Sequence, residues 1–312
     1  MAVFGAGLSI RQLCSAWKAA ATVGGGIAIG SNTEQHRLLE NGVAFHQLDY
    51  DDLRAAIVGL TETLLLPGLN TVIDRDHQFL WSWLAEVLLG RDGPLSLGTD
   101  RELSSLANVA LRSALAGARP HTQDGVDRNR AAYDANDLNS RELLTHAHEA
   151  LAYLAFPFLE GAARRACSAY VDLRGVVLQP FPRRSGSPYS LGRRCSNVAD
   201  LLSLLEHSVA GQTLRSDLTE VLAHVHSMVP SATDGAAVVF EWRNSSLHGE
   251  TSLPTIGGTV LSLALLISVD AIRIDYPTRR AAALERAVRE VQRAQFLNRW
   301  DPSSWSYYPL YP

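Results

Sequence analysis

The sequence predicts an all-α protein, an antiparallel helical bundle preceded by a second, mainly helical domain. Three observations carry that prediction. From about Asp51 onward apolar residues recur at intervals of three and four, as in Leu53, Ile57, Leu60 and Leu64, which places them on one helix face. Strand-like patterning finds little support outside the first 32 residues. The segments between helical patterns are short and rich in Gly, Pro, Asn, Asp and Ser, as expected of helices joined by tight connections. A length of 312 residues fits about two domains. With 46% hydrophobic and 19% charged residues, the chain is able to bury a core.

Residues 1–32 carry VFGAGLS and VGGGIAIGSN. A G-x-G after a short apolar run is half of a dinucleotide-binding fingerprint. The third glycine would fall at Ile10, and no strand–helix series follows, so a glycine-rich turn or short hairpin is expected. The first helix starts near Asp51 and is closed by Pro67-Gly68. His77 to Leu89 holds Phe79, Trp81, Trp83, Leu84 and Val87, an apolar face too wide for an aromatic binding box and suited to a core helix. GRDGPLSLG is a loop, after which Thr99 or Asp100 caps a helix over Leu103 to Leu115. The polar residues 117–140 mark a domain boundary, giving a mainly helical N-terminal domain of unassigned role at 1–135.

The second unit begins at Ser140. One long helical pattern is expected from Arg141 to about Asp172, kinked at Pro157. The turn-rich QPFPRRSGSPYSLGRR follows as a loop, and Asn197–His207 and Leu214–Met228 read as amphipathic helices separated at Gly211. Then come the segment Ala236–His248, an apolar helix over 256–275 and an Arg- and Ala-rich helix over 279–298. These readings give a bundle at 140–278, followed by a C-terminal helix and aromatic tail at 279–312. The longest apolar run, Ile256 to Val269, is closed by Asp270 and falls short of the roughly 20 residues that span a bilayer, so it is expected as a buried helix.

The net charge of −4 argues against a protein that coats nucleic acid non-specifically, but leaves room for a local basic patch. Residues 161–200 supply one, with seven arginines against two aspartates. Arg183, Arg184, Arg193 and Arg194 are the candidate phosphate contacts there, and a solvated loop explains them equally well. Cys14, Cys167 and Cys195 are odd in number and widely spaced, so neither a disulfide framework nor a zinc knuckle is expected, and no metal or cofactor. The N-terminus has no basic stretch ahead of an apolar one, and a reducing cytoplasm is the expected location. The pairs His146/His148 and His224/His226 are each two apart, on different faces of a helix; the first pair is expected to be solvent-exposed and the second structural or exposed.

One polar cluster beside the core stands out: EWRNSSLHGE, Glu241 to Glu250. Arg243-Asn244, followed after three residues by His248, resembles the R-N-x-x-x-H signature of the HEPN superfamily (higher eukaryote and prokaryote nucleotide-binding domains). FPFLEGAARRACSAYV, Phe156 to Val171, looks like the long first helix of such domains, and the resemblance covers about 140–275. It implies a HEPN-like bundle and metal-independent cleavage of RNA to a 2′,3′-cyclic phosphate and a 5′-hydroxyl, at a groove between two protomers. It also implies a toxin or antiviral-defence effector, restrained by an inhibitory protein partner or by the N-terminal domain. A non-catalytic module of the same kind, binding RNA, nucleotide or protein, is the alternative.

Within the motif His248 is the side chain suited to proton transfer near neutrality, and Arg243 offers a permanent planar cation to phosphate oxygens. Asn244 and His248 are helix neighbours four apart, so the amide can fix the imidazole tautomer. Arg243 and His248, five apart, diverge by about 140° on an ideal helix, which favours a site shared between two chains. The simpler alternative is that both satisfy a buried glutamate or carbonyls. Glu160 and Glu250 are the acids placed to pair with Arg243.

Overall fold

A computed structural model describes residues 7–15, 38–65, 73–90, 93–96, 100–116, 138–247 and 254–297. The fold is all-α, and among the described residues β-structure is limited to isolated antiparallel bridges. The helices are α1 (Tyr50–Leu64), α2 (Arg75–Leu89), α3 (Arg101–Ala116), α4 (Leu138–Ala166), α5 (Val198–Leu204), α6 (Gln212–Met228), α7 (Gly235–Leu247), α8 (Pro254–Asp270) and α9 (Tyr276–Leu297).

Local chemistry sets most of the helix starts. Asp49 caps α1 by accepting from the Asp52 amide, and Asp100 accepts from the Leu103 amide at 3.0 Å to cap α3, while Thr99 lies outside the described residues. Asp74 and His77 form a reciprocal capping box at the start of α2. As the sequence indicates, α2 is a core helix, with Trp81 and Trp83 fully buried.

The core is organised around α8 and α4. Helix α8 is apolar and buried almost all round, packing on α4 and also on α1, α2, α3 and α6. Gly257 and Gly258 permit this approach. A Cβ on Gly257 would stand 2.8 Å from Leu151 Cγ and 3.0 Å from the Ala152 nitrogen, and one on Gly258 2.8 Å from Leu64 Cδ1. The few polar groups of α8 are partly absorbed locally: Trp81 Nε1 donates to Ser262 Oγ at 3.3 Å, and Ser268 Oγ donates to the Ala264 carbonyl at 2.7 Å.

Most of the boundary expected at 117–140 lies outside the described residues. On either side of it, α1–α3 and α4–α9 contribute to one hydrophobic cluster. Pro157 stays inside α4 at a solvent-exposed position. Proline has no amide to donate to the carbonyl four residues back, and both Tyr153 and Pro157 lie on the exposed side of the helix, where water can take that bond. Among the described residues no helix is long and apolar enough to cross a membrane.

Three expectations are corrected. Helix α4 ends at Ala166, not near Asp172. The Asp172 carboxylate accepts from the amides of Arg174 (2.9 Å) and Val176 (2.7 Å), and Gly175 adopts φ +82°. This turn chemistry commits the chain past Asp172 to a hairpin loop, which competes with continuation of the helix. The apolar helix α8 stops at Asp270, short of 275, and the segment 271–275 is a turn. The helix at 197–207 is α-helical only to Leu204, then continues as one π-turn, Leu205–Val209. The glycine-rich segment 16–32, the closing Pro67-Gly68 and the tail from 298 lie outside the described residues.

Candidate functional site

Residues 167–195 form a compact ribbon on the end of α4. Asp172 and Val176 close a three-residue hairpin loop, Leu173-Arg174-Gly175, with the Asp172 amide donating to the Val176 carbonyl at 2.9 Å. The second crossing is a bulge. Val177 donates to the Arg193 carbonyl (2.8 Å) and accepts from the Gly192 amide (2.9 Å), with Gly192 at φ +74°. The underside buries Val171, Val177, Phe181, Tyr189 and Cys195. Tyr189 Oη donates to Asp200 Oδ2 at 2.9 Å, which fastens the ribbon to α5.

The motif helix α7 starts at Asp234, whose carboxylate accepts from the Ala237 amide at 3.0 Å. It packs between α5, α6 and α4. Arg243, near its C-terminal end, reaches α4, where its Nε donates to Glu160 Oε1 at 2.6 Å. Glu160 is buried, and its other oxygen accepts from Arg164 Nη2 at 3.3 Å. Arg164 in turn lies under the ribbon, close to the Gly175 turn. The sequence therefore folds so that the motif arginine, a buried carboxylate, a second arginine and the base of the ribbon form one continuous chain. Of the two acids considered from sequence, Glu160 is the observed partner of Arg243, and Glu250 lies outside the described residues.

The pairing uses only part of the Arg243 fork. Among the described residues its two terminal nitrogens make no further hydrogen bond, and the side chain is 27% exposed. Asn244 is half-buried with no side-chain hydrogen bond to any described residue. Ser246 is buried, and its hydroxyl has no partner among the described residues. His248 lies outside the described residues, so the Asn244–His248 and Arg243–His248 relations rest on sequence spacing alone.

The four loop arginines separate into two pairs. Arg183 lies over the Tyr189 ring at 4.0 Å and Arg184 is ion-paired to Asp234, so both hold the ribbon in place. Arg193 and Arg194 are exposed and, among the described residues, in no ion pair, and Arg194 Nε donates to the Arg174 carbonyl at 3.3 Å. Arg174, exposed beside them, belongs to this second group. Its signal in the sequence is the L-R-G of the hairpin loop, which marks a turn and not a helix end.

The histidine pairs resolve as follows. His146 is exposed and bonded to Glu149 at 2.7 Å, whereas His148, expected to be exposed, is half-buried with no partner for its Nδ1 among the described residues, and burial lowers its pKa. His224 and His226 are structural, bonding the Glu220 and Ala232 carbonyls. Among the described residues no group of His, Cys, Asp and Glu is placed to hold a metal ion. A cleft of about 270 Å³ lies at the start of α7, lined in part by Arg184, His226 and Asp234. No residue of the Arg243–Asn244 motif borders it. In comparisons with known proteins, no family model, no curated protein and no solved structure matches the chain.

Proposed function

We propose that the chain is a HEPN-type, metal-independent endoribonuclease that leaves 2′,3′-cyclic phosphate and 5′-hydroxyl ends, acting as a toxin or defence effector at a site shared by two copies of the chain. The observation that carries this reading is the state of Arg243. A buried carboxylate fixes its Nε, while among the described residues its terminal nitrogens make no hydrogen bond and the side chain is partly exposed. A cation held in this way is suited to the charge that develops on a phosphorane, because its orientation is set before the substrate arrives. The exposed Arg193 and Arg194, on the ribbon seated over Arg164, supply a track for the RNA backbone. In this mechanism His248 moves the proton, Asn244 orients it, and Arg243 binds the non-bridging oxygens.

A second reading is favoured by the same ion pair. Glu160 has both oxygens engaged by arginines, so Arg243 also serves to neutralise a buried acid, as in a non-catalytic module that binds RNA, nucleotide or a protein. Purified protein incubated with RNA in EDTA separates the two. Cleavage to cyclic-phosphate ends that is lost in His248→Ala and Arg243→Ala supports the enzyme. Cleavage unchanged in both variants, each shown to be folded, removes these residues from the mechanism.

A further inference from the structure

The outer face of the ribbon combines two features that solvent-exposed turns seldom hold together. Leu173, Leu178 and Leu191 are 55%, 50% and 69% exposed. They are interleaved in sequence with Arg174, Arg193 and Arg194, which are exposed and, among the described residues, carry no ion pair. Leu173 occupies the hairpin loop, Leu178 follows the bulge on one arm, and Leu191 precedes it on the other. The backbone beneath them is fixed by the Asp172 turn, two glycines at positive φ and the buried aromatic underside. The leucines are therefore displayed on a preorganised surface, and docking a partner there costs little ordering entropy.

We infer that this face is a docking surface for an acidic protein segment bearing apolar side chains. Charge selects the occupant. Asp172 is the only acid in the ribbon, and its carboxylate is spent on two backbone amides, so the three arginines call for carboxylates from outside. A second copy of this chain meeting the same face would set like charges against like. Nucleic acid binds through phosphate contacts and stacking on aromatic rings, whereas here the exposed apolar groups are aliphatic, and Phe181 and Tyr189 are turned inward. If Arg193 and Arg194 also carry RNA, such a partner excludes it; that consequence alone rests on the ribonuclease reading.

Selection of a random-peptide display library on the full chain, followed by fluorescence anisotropy of the enriched peptides, tests the inference without any cleavage assay. The expected result is peptides that combine Asp or Glu with apolar residues. Their affinity should fall about tenfold or more in Leu178→Ser/Leu191→Ser and, separately, in Arg193→Gln/Arg194→Gln, both variants retaining the wild-type circular dichroism spectrum. Enriched peptides without acidic residues, or affinities unchanged in both variants, overturn it. So does tighter leucine-dependent binding to phosphatidylserine vesicles or oligouridylate than to the peptides, or conversion of a wild-type dimer to monomer by the leucine substitutions.

Discussion

Replacing Glu160 with alanine leaves two guanidinium groups facing a site built for a carboxylate. The structure sets the scale of the loss. The Arg243 bond is short at 2.6 Å, and the two side chains are 27% and 12% exposed, between a surface pair and a buried one. Removing one member of a fully buried pair costs about 3–5 kcal/mol, whereas an exposed pair contributes about 1 kcal/mol or less. The Arg164 contact is longer, at 3.3 Å, and lies four residues along the same helix, an arrangement worth about 0.3–0.5 kcal/mol. Glu160→Ala is therefore expected to destabilise the protein by about 2–4 kcal/mol. A double-mutant cycle with Arg243→Ala should give a coupling of about 1–3 kcal/mol, and one with Arg164→Ala about 0.5 kcal/mol or less. Urea denaturation followed by tryptophan fluorescence reads all the terms. A Glu160–Arg243 coupling no larger than the Glu160–Arg164 coupling would refute the assignment of Glu160 as the residue that holds Arg243.

Further outcomes follow from the same geometry. Gly257→Ala should destabilise by about 1–3 kcal/mol in thermal unfolding, because the added methyl meets Leu151 and the Ala152 backbone; an unchanged midpoint would show that α4 and α8 are not in close contact. Burial alone would lower the pKa of His77, but the Asp74 carboxylate at 2.7 Å, the Leu60 carbonyl and Asp76 together raise it above its ordinary value. The stabilisation from that pair is therefore complete below about pH 6.5 and is lost as pH rises through the higher folded-state value, a decline in urea midpoint that Asp74→Asn should remove. Burial, with Cys195 nearby, pushes the Cys167 thiol up to about 12, and all three cysteines are buried. Ellman's reagent should find no rapidly reacting thiol in native protein and all three in urea; fast native labelling would contradict the packing around them.

The helices were readable because their information is local. The spacing of Leu53, Ile57, Leu60 and Leu64, the Asp100 cap and the all-apolar run of α8 each lie within one element. Where the reading failed, two local signals competed. Tyr170 and Val171 continue the apolar pattern of α4, but Asp172 and Gly175 a few residues on offer a hairpin loop, and the side-chain capture of two amides prevailed. Glu160 could be picked out as an acid embedded in FPFLEGAA, whereas its choice of Arg243 over other cations depends on a contact between residues far apart in the chain. The division of the loop arginines was equally hidden. Whether an arginine stacks, pairs or projects depends on Tyr189, Asp234 and the bulge at Gly192, none of which a count of charges registers.

The position of α8 bears on how the chain could be divided. A helix with apolar residues on every side has no face it can show to water, and α1, α2 and α3, together with α6, cover the part that α4 does not. A fragment beginning at Leu138 would leave that surface bare and aggregate, and one ending at Ala116 would lack the helix it wraps. Proteolytic nicking between 117 and 137 should accordingly leave two pieces that co-purify and separate only in denaturant. A shared core of this kind ties the two halves to each other in any transplant, duplication or truncation: separation would expose the apolar sides of α8.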